Sequence, residues 1–150
     1  MTALLLPEEV KEKFRFSVPI QIRFSDIDGY MHVNNGVYFN FMEHSRALYL
    51  HQVCNWDIGK IGAVVANINL DFYKPINFLD QVEAYVRCIY LGSSSFKLEQ
   101  VLIGNKKDKE AVVFSRAAIT MVTVDLKTMK SIPLPDEYVA KIRRQDGLEA

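Results

Sequence analysis

The residues with the clearest capacity for chemistry stand in one short run, Asp26-Ile27-Asp28-Gly29-Tyr30-Met31-His32-Val33-Asn34-Asn35. It holds two carboxylates, one imidazole and an asparagine pair of the kind that opens a helix by accepting a free first-turn N–H. A helix start carries unpaired N–H donors and the positive end of the backbone dipole. A carbonyl docked against it is polarised, and the oxyanion formed by attack on that carbonyl is stabilised. A carboxylate alongside can activate water or attack the carbonyl carbon itself. Helix end plus acid therefore makes a minimal hydrolytic site. The same residue types also brace turns and cap helices, so chemistry and capping both remain open at this point.

The elements around this run follow from periodicity. Val18, Ile20, Ile22 and Phe24 alternate with Pro19, Gln21, Arg23 and Ser25, which predicts a half-buried strand over 18–24. Pro19 donates no ladder bond, so it belongs at an edge or a bulge. After the asparagines, Val37, Tyr38, Phe41, Met42, Ser45, Leu48, Tyr49 and Val53 recur at helical spacing and predict a largely buried helix over 36–53. Asn34 and Asn35 are the expected caps, and Glu43 and Arg46 stand close enough on the helix to pair.

Strands are predicted over 63–74, 81–91, 96–103 and 111–125, separated by Pro75-Ile76-Asn77, Gly92-Ser93-Ser94-Ser95 and Gly104-Asn105-Lys106-Lys107-Asp108. The short links between the last three imply antiparallel neighbours. In the 81–91 segment Val82, Ala84, Val86 and Cys88 share the buried side. The 111–125 segment is apolar nearly throughout, which predicts cover on both faces, with a second subunit as one source. A short helix over 136–144 closes the chain. One strand, one long helix and four further strands give a single α+β domain in which a curved sheet wraps the helix.

At 150 residues and 49% hydrophobic content the chain has room for one sizeable core. Eighteen basic residues balance eighteen acidic ones, so no net field recruits nucleic acid or an anionic membrane. Cys54 and Cys88 form no CxxC pair and suit free thiols in a reducing compartment. Ala3-Leu4-Leu5-Leu6 is too short for a signal-peptide core, and no apolar run approaches the roughly 20 residues that span a bilayer. A cytoplasmic location without membrane insertion is the expectation. His44 and His51 share a helix, but no zinc spacing, GxSxG elbow, P-loop or GxGxxG is present. Neither a metal nor a cofactor is expected.

The run from Asp26 to Tyr38 resembles the signature of the 4-hydroxybenzoyl-CoA thioesterase group of the hotdog superfamily. There an acid-x-Asp turn leads into HVNNxxY, followed by Glu and Arg on the long helix; here these are Asp26-Ile27-Asp28, His32-Val33-Asn34-Asn35-Gly36-Val37-Tyr38, Glu43 and Arg46. Asp71-Phe72-Tyr73-Lys74-Pro75-Ile76-Asn77-Phe78-Leu79-Asp80 is similar to the group's strand-turn ending in aspartate. The order of elements agrees from about Val18 to Asp125.

The resemblance implies a hotdog fold, an antiparallel sheet around a long central helix, assembled as a homodimer or homotetramer with its site near the subunit interface. It implies hydrolysis of an acyl-CoA or acyl-carrier-protein thioester. Asp28 takes the catalytic carboxylate's place, as general base or nucleophile, and the Asn35 main-chain N–H takes the oxyanion donor's. His32 orients water or thioester, or is instead a histidine held by backbone bonds. Tyr38 and Asn34 are the candidate substrate contacts, with a core aromatic and a cap as their structural alternatives. Asp26 is expected to brace the loop or pair with Arg23, and Asp71 to be structural.

One departure from the group is Met31 before His32, where many relatives have glycine. Another hotdog branch, the plant acyl-carrier-protein thioesterases, has asparagine where this chain has Tyr30, so its Asn-and-His mechanism does not transfer. Two rival readings are a non-catalytic thioester-binding module, disfavoured by Asp28, and a hotdog dehydratase or hydratase, disfavoured by the placement of His32 ahead of the helix.

Overall fold

The computed structural model describes residues 5–106 and 110–148. Ala3, Leu4, Lys107 and Asp108, named above in the leader and turn readings, lie outside the described residues. In chain order the elements are helix α1 (Pro7–Lys13), strand β1 (Phe16–Ile20), a 3₁₀ turn (Phe24–Asp26), helix α2 (Val37–Tyr49), strands β2 (Ile61–Phe72), β3 (Gln81–Leu91), β4 (Ser95–Asn105) and β5 (Ala111–Asp125), and helix α3 (Asp136–Asp146).

The five strands form one sheet in the order β1-β3-β4-β5-β2, with every pairing antiparallel. Its inner face packs on α2. Tyr38, Phe41, Met42 and Tyr49 from the helix meet Val86, Leu98, Phe114 and Ile119 from the sheet in the main core. This is the hotdog arrangement, and β1 and β2 are its edges. Pro19 sits on edge strand β1, opposite Glu83, where a missing N–H disturbs no second neighbour.

Three sequence expectations shift. The first strand ends at Ile20, before its alternation does, because the Asp26 carboxylate accepts the Arg23 N–H at 2.8 Å. The Asp26 N–H also donates to the Arg23 carbonyl at 2.9 Å, folding residues 23–26 into a turn. The long helix changes character after Tyr49, where Leu50–Cys54 continue as a π-helical turn that stops at Asn55, whose φ is +53°. The outer face of the sheet has a cover of its own, because α1 lays Val10 and Phe14 on Val101, Ile103 and Val113. Arg87 lies 4.6 Å from the Phe14 ring centre.

The expected Glu43–Arg46 pair does not close into a direct ion pair, although the Glu43 charge still acts on the guanidinium. Burial favours a hydrogen-bonded position for the guanidinium, and Arg46 turns inward to donate to Gln100 Oε1 at 3.4 Å while Glu43 stays exposed. Gln100 Nε2 donates to the Met42 carbonyl at 2.9 Å and to Ser45 Oγ at 2.8 Å. These bonds satisfy polar groups that burial would otherwise penalise. Among the described residues no helix is long and apolar enough to cross a membrane.

Candidate active site

The loop from Asp26 to Asn35 is held almost wholly by its backbone. The Asp28 N–H donates to the His32 carbonyl at 2.9 Å and the Met31 N–H to the Asp28 carbonyl at 3.0 Å, closing a tight turn. Met31 completes the turn with φ +64°, the left-handed region that glycine enters freely and other residues rarely. At the position where many of the resembled group have glycine, this chain keeps a side chain on a left-handed backbone.

The strip 32–34 then lies between two neighbours. The Asn34 N–H donates to the Asp26 carbonyl and the Val33 N–H to the Ile76 carbonyl, each at 2.8 Å, and His32 bridges to Asn77. The 76–80 turn is fixed in its own right. The Asp80 carboxylate accepts the Asn77 N–H at 2.8 Å and Lys106 Nζ at 3.3 Å, and Lys106 also donates to the Pro75 carbonyl at 2.7 Å. Asp80, the aspartate that ends the second motif, is therefore a brace for the wall behind His32.

The side chains so positioned are left free. Asp28 Oδ1 accepts the Tyr30 N–H at 2.8 Å, while Oδ2 has no partner among the described residues. The His32 imidazole is half-buried and likewise without a hydrogen-bond partner there, so backbone bonds hold its main chain and not its ring. Asp26 is buried and accepts the Arg23 N–H, with the Arg23 guanidinium 3.6 Å away, so it both braces the loop and pairs.

The cap differs from the expectation. Gly36 is the N-cap, and the Asn34 amide oxygen accepts its N–H at 2.8 Å, so Asn34 folds back one residue ahead of the helix. A side chain that bonds the backbone two residues on competes with capping of the first turn. The Asn34 carbonyl accepts the Val37 N–H at 2.9 Å. The main-chain N–H of Asn35 stays unpaired among the described residues.

A cavity of about 390 Å³ gathers Asp28, His32, Asn35 and Tyr38 on one lining, with Tyr30 and the end of β2 at Phe72, Tyr73, Lys74 and Pro75 completing it. Asn34 is not part of that lining. Tyr38 is only 2% exposed and packs edge-on to Phe72, their ring centres 4.9 Å apart. Burial pushes its phenol up to about 12, so it remains a neutral O–H in the site. Asp71 is exposed and lies outside the lining. The β2 contribution was missed in the sequence, although the Asp71–Asp80 motif covers it. Strand alternation there says which residues share a face and not that the face ends at a helix N-terminus. Among the described residues no three His, Cys, Asp or Glu side chains gather as a metal site.

Residues 22–142 match the family model described as the thioesterase-like superfamily. The long-chain acyl-CoA thioesterase FadM of Escherichia coli (strain K12) is 32% identical over 128 residues, spanning 83% of this chain and 95% of that protein. A thioesterase from Thermus thermophilus, solved with coenzyme A and zinc, is 30% identical with a TM-score of 0.78, covering 93% of this chain and 99% of its own. A 4-hydroxybenzoyl-CoA thioesterase solved with 4-hydroxybenzoyl-CoA gives a TM-score of 0.77 at 15% identity, covering 85% and 97% of the two chains. At that identity it bears on the fold alone.

Proposed function

Because the chain belongs to the thioesterase-like superfamily, we propose that it hydrolyses acyl-CoA thioesters to free acid and CoA in the cavity shared by Asp28, His32, Asn35 and Tyr38. The observation that carries this reading is an unpaired donor and an unpaired acceptor on one lining: the Asn35 N–H at the helix start and Asp28 Oδ2. The thioester carbonyl docks on the Asn35 N–H, where the helix dipole adds to the polarisation. Asp28 then takes a proton from water as water attacks and hands it to the thiolate as the C–S bond breaks, or it attacks first, expelling the thiolate and forming an anhydride that water opens with its proton passing to the sulfur. Either route ends in carboxylic acid and free thiol. The neutral Tyr38 hydroxyl and the free His32 ring line the path of the thioester, and no metal or redox group is needed for the balance. The chemistry is the same for an acyl-carrier-protein thioester.

Assembly and location belong to the same proposal. Strand β2 is an edge of twelve residues with Val65 exposed, and an edge of that length invites pairing with a second copy. The half-exposed outer side of β5, at Ala118, Thr120 and Val122, adds apolar surface for a homodimer or homotetramer. The free, buried thiols of Cys54 and Cys88 support a reducing, cytoplasmic setting.

The test is thiol release from a panel of acyl-CoA and acyl-carrier-protein thioesters, with light scattering on the same preparation. Turnover of acyl-CoA by an oligomer is the expected result. No thiol release across the panel would overturn the activity, and an active monomer at micromolar concentration would overturn the assembly.

A further inference from the structure

Arg46 carries a charge without a counter-charge. The residue is only 8% exposed, yet among the described residues no carboxylate stands within ion-pair reach of it. Gln100 Oε1 meets its guanidinium at 3.4 Å, but an amide brings no negative charge. Burying a charge is costly unless it is paired, so a single chain leaves this guanidinium short of an anion.

The same region lacks a cover. Val37, Phe41 and His44 turn one flank of α2 toward Ile20 at the end of β1. Phe39, Glu43 and Arg46, spaced four and three residues apart, share the other flank, on the side of β2. There Ile68, Leu70 and Phe72 carry the inner face of the sheet to its edge, opposite the fully buried Ile119, Ala117 and Ser115 of β5. Ile68 and Leu70 are only half-buried, while Phe72 is 46% exposed and Phe39 43%. An apolar trough thus runs between α2 and β2, with a buried cation beside it and the exposed Glu43 carboxylate on its rim.

Three considerations choose a second copy of the chain as the occupant. An alkyl tail would cover the apolar surface but bring no anion to Arg46. The free edge of β2 runs along the trough and offers unpaired backbone to a like strand. The flank also holds both members of an ion pair, and a two-fold axis beside residues 43–46 joins each Glu43 to the Arg46 of the other chain, the self-complementary pattern of an isologous contact.

Resting on the assembly proposed above and deepening it, we propose that the α2 flank of Phe39, Glu43 and Arg46 docks on the same flank of a second copy, each Glu43 carboxylate pairing with the partner subunit's Arg46. The contact gives the buried guanidinium its counter-charge. It also closes the trough over Phe72, which lines the catalytic cavity as well.

The experiment measures self-association by sedimentation for the full-length wild type, Glu43→Gln, Glu43→Arg and Arg46→Glu, and for an equimolar mixture of the last two. Glu43→Arg should weaken self-association by about a hundredfold or more, because like charges then face each other twice across the interface, and Glu43→Gln by less. The mixture separates a contact between chains from one within a helix. Each variant keeps like charges at 43 and 46 of its own helix, but every pair between the two different chains is of opposite charge, so a heterodimer close to wild-type affinity should form. A pair closed within one helix gives no such rescue, and its absence overturns the contact. Should Arg46→Glu not fold, Glu43→Arg decides alone, since an affinity equal to the wild type overturns the contact while the assembly stands. A monomeric wild type overturns both, and a changed acyl-chain preference in Phe39→Ser would then assign the trough to the substrate. No arm of the sedimentation measurement uses turnover, so failure of the hydrolase reading leaves its outcome intact.

Discussion

The two halves of the central helix carry polar clusters of opposite kind. Around its second half Ser45, Arg46 and Gln100 bond one another in the core. Tyr49 donates to Asp146, which also accepts the Cys88 N–H at 2.9 Å. At its start the pattern inverts. The backbone of 26–35 is tied down, while Asp28 Oδ2, the His32 ring and the Asn35 N–H are left without partners among the described residues. Polar groups that saturate one another hold a fold together, whereas groups held in place but unsaturated are available to a substrate.

The largest effect that can break this contrast lies in the saturated cluster. Gln100→Ala removes the acceptor of the buried Arg46 guanidinium and the donor to Met42 and Ser45. Leaving buried hydrogen-bonding groups unpaired typically costs about 1–3 kcal/mol. Denaturant unfolding should show a loss of that order, and a loss below about 1 kcal/mol would mean the network does not hold the helix to the sheet.

Asp146 is an exception within the saturated half, satisfied at Oδ2 but not at Oδ1, and pH exposes the difference. Burial, only partly offset by the Cys88 N–H and the Tyr49 hydroxyl, raises its carboxyl above the ordinary value, and its Oδ1 is buried without a partner. The folded chain thus binds that proton more tightly than the unfolded chain. The associated stability is fully present below the unfolded pKa and is lost as pH rises through the folded one. Asp146→Asn keeps a carbonyl acceptor and does not ionise. It should melt at or a few degrees above the wild type at neutral pH, with the difference closing as both are acidified toward pH 4. A variant that melts well below the wild type at neutral pH would show that the charge is needed there.

The smallest expected effect is at the open cluster. Asn35→Ala leaves the main-chain N–H in place and removes an amide that caps nothing. Stability should change by no more than about 0.5 kcal/mol, as at an ordinary surface position, and turnover should fall only modestly. A collapse of about 10²–10³-fold, the loss typical of a true oxyanion donor, would transfer the chemistry to the side chain.

The open cluster was legible in the sequence because it is contiguous: Asp28, His32 and Asn35 lie within one run, and a motif of local spacing is read without knowing the fold. The saturated clusters were not, because Gln100 meets Ser45 across 55 positions and Asp146 meets Tyr49 across 97. Such pairs depend on strand register and helix docking. Strands β2 to β5 and the long helix followed from periodicity, with ends shifted by a few residues. Helix α1 was overlooked although its signals are local, with Pro7 at its start, Glu8 and Glu9 in the first turn and Lys11 and Lys13 in the last. The left-handed Met31 was beyond reach, since a methionine in a turn gives no sign of positive φ.

If Asp28 is positioned for chemistry and not for structure, turnover and melting temperature must separate when both are measured on one Asp28→Asn preparation. The substitution retains an acceptor for the Tyr30 N–H and removes the charge. The expected result is a melting temperature close to the wild type and acyl-CoA turnover lower by about 10²–10⁴-fold, the scale of general base catalysis. Near-normal turnover, or a loss matched by a comparable fall in stability, would contradict it.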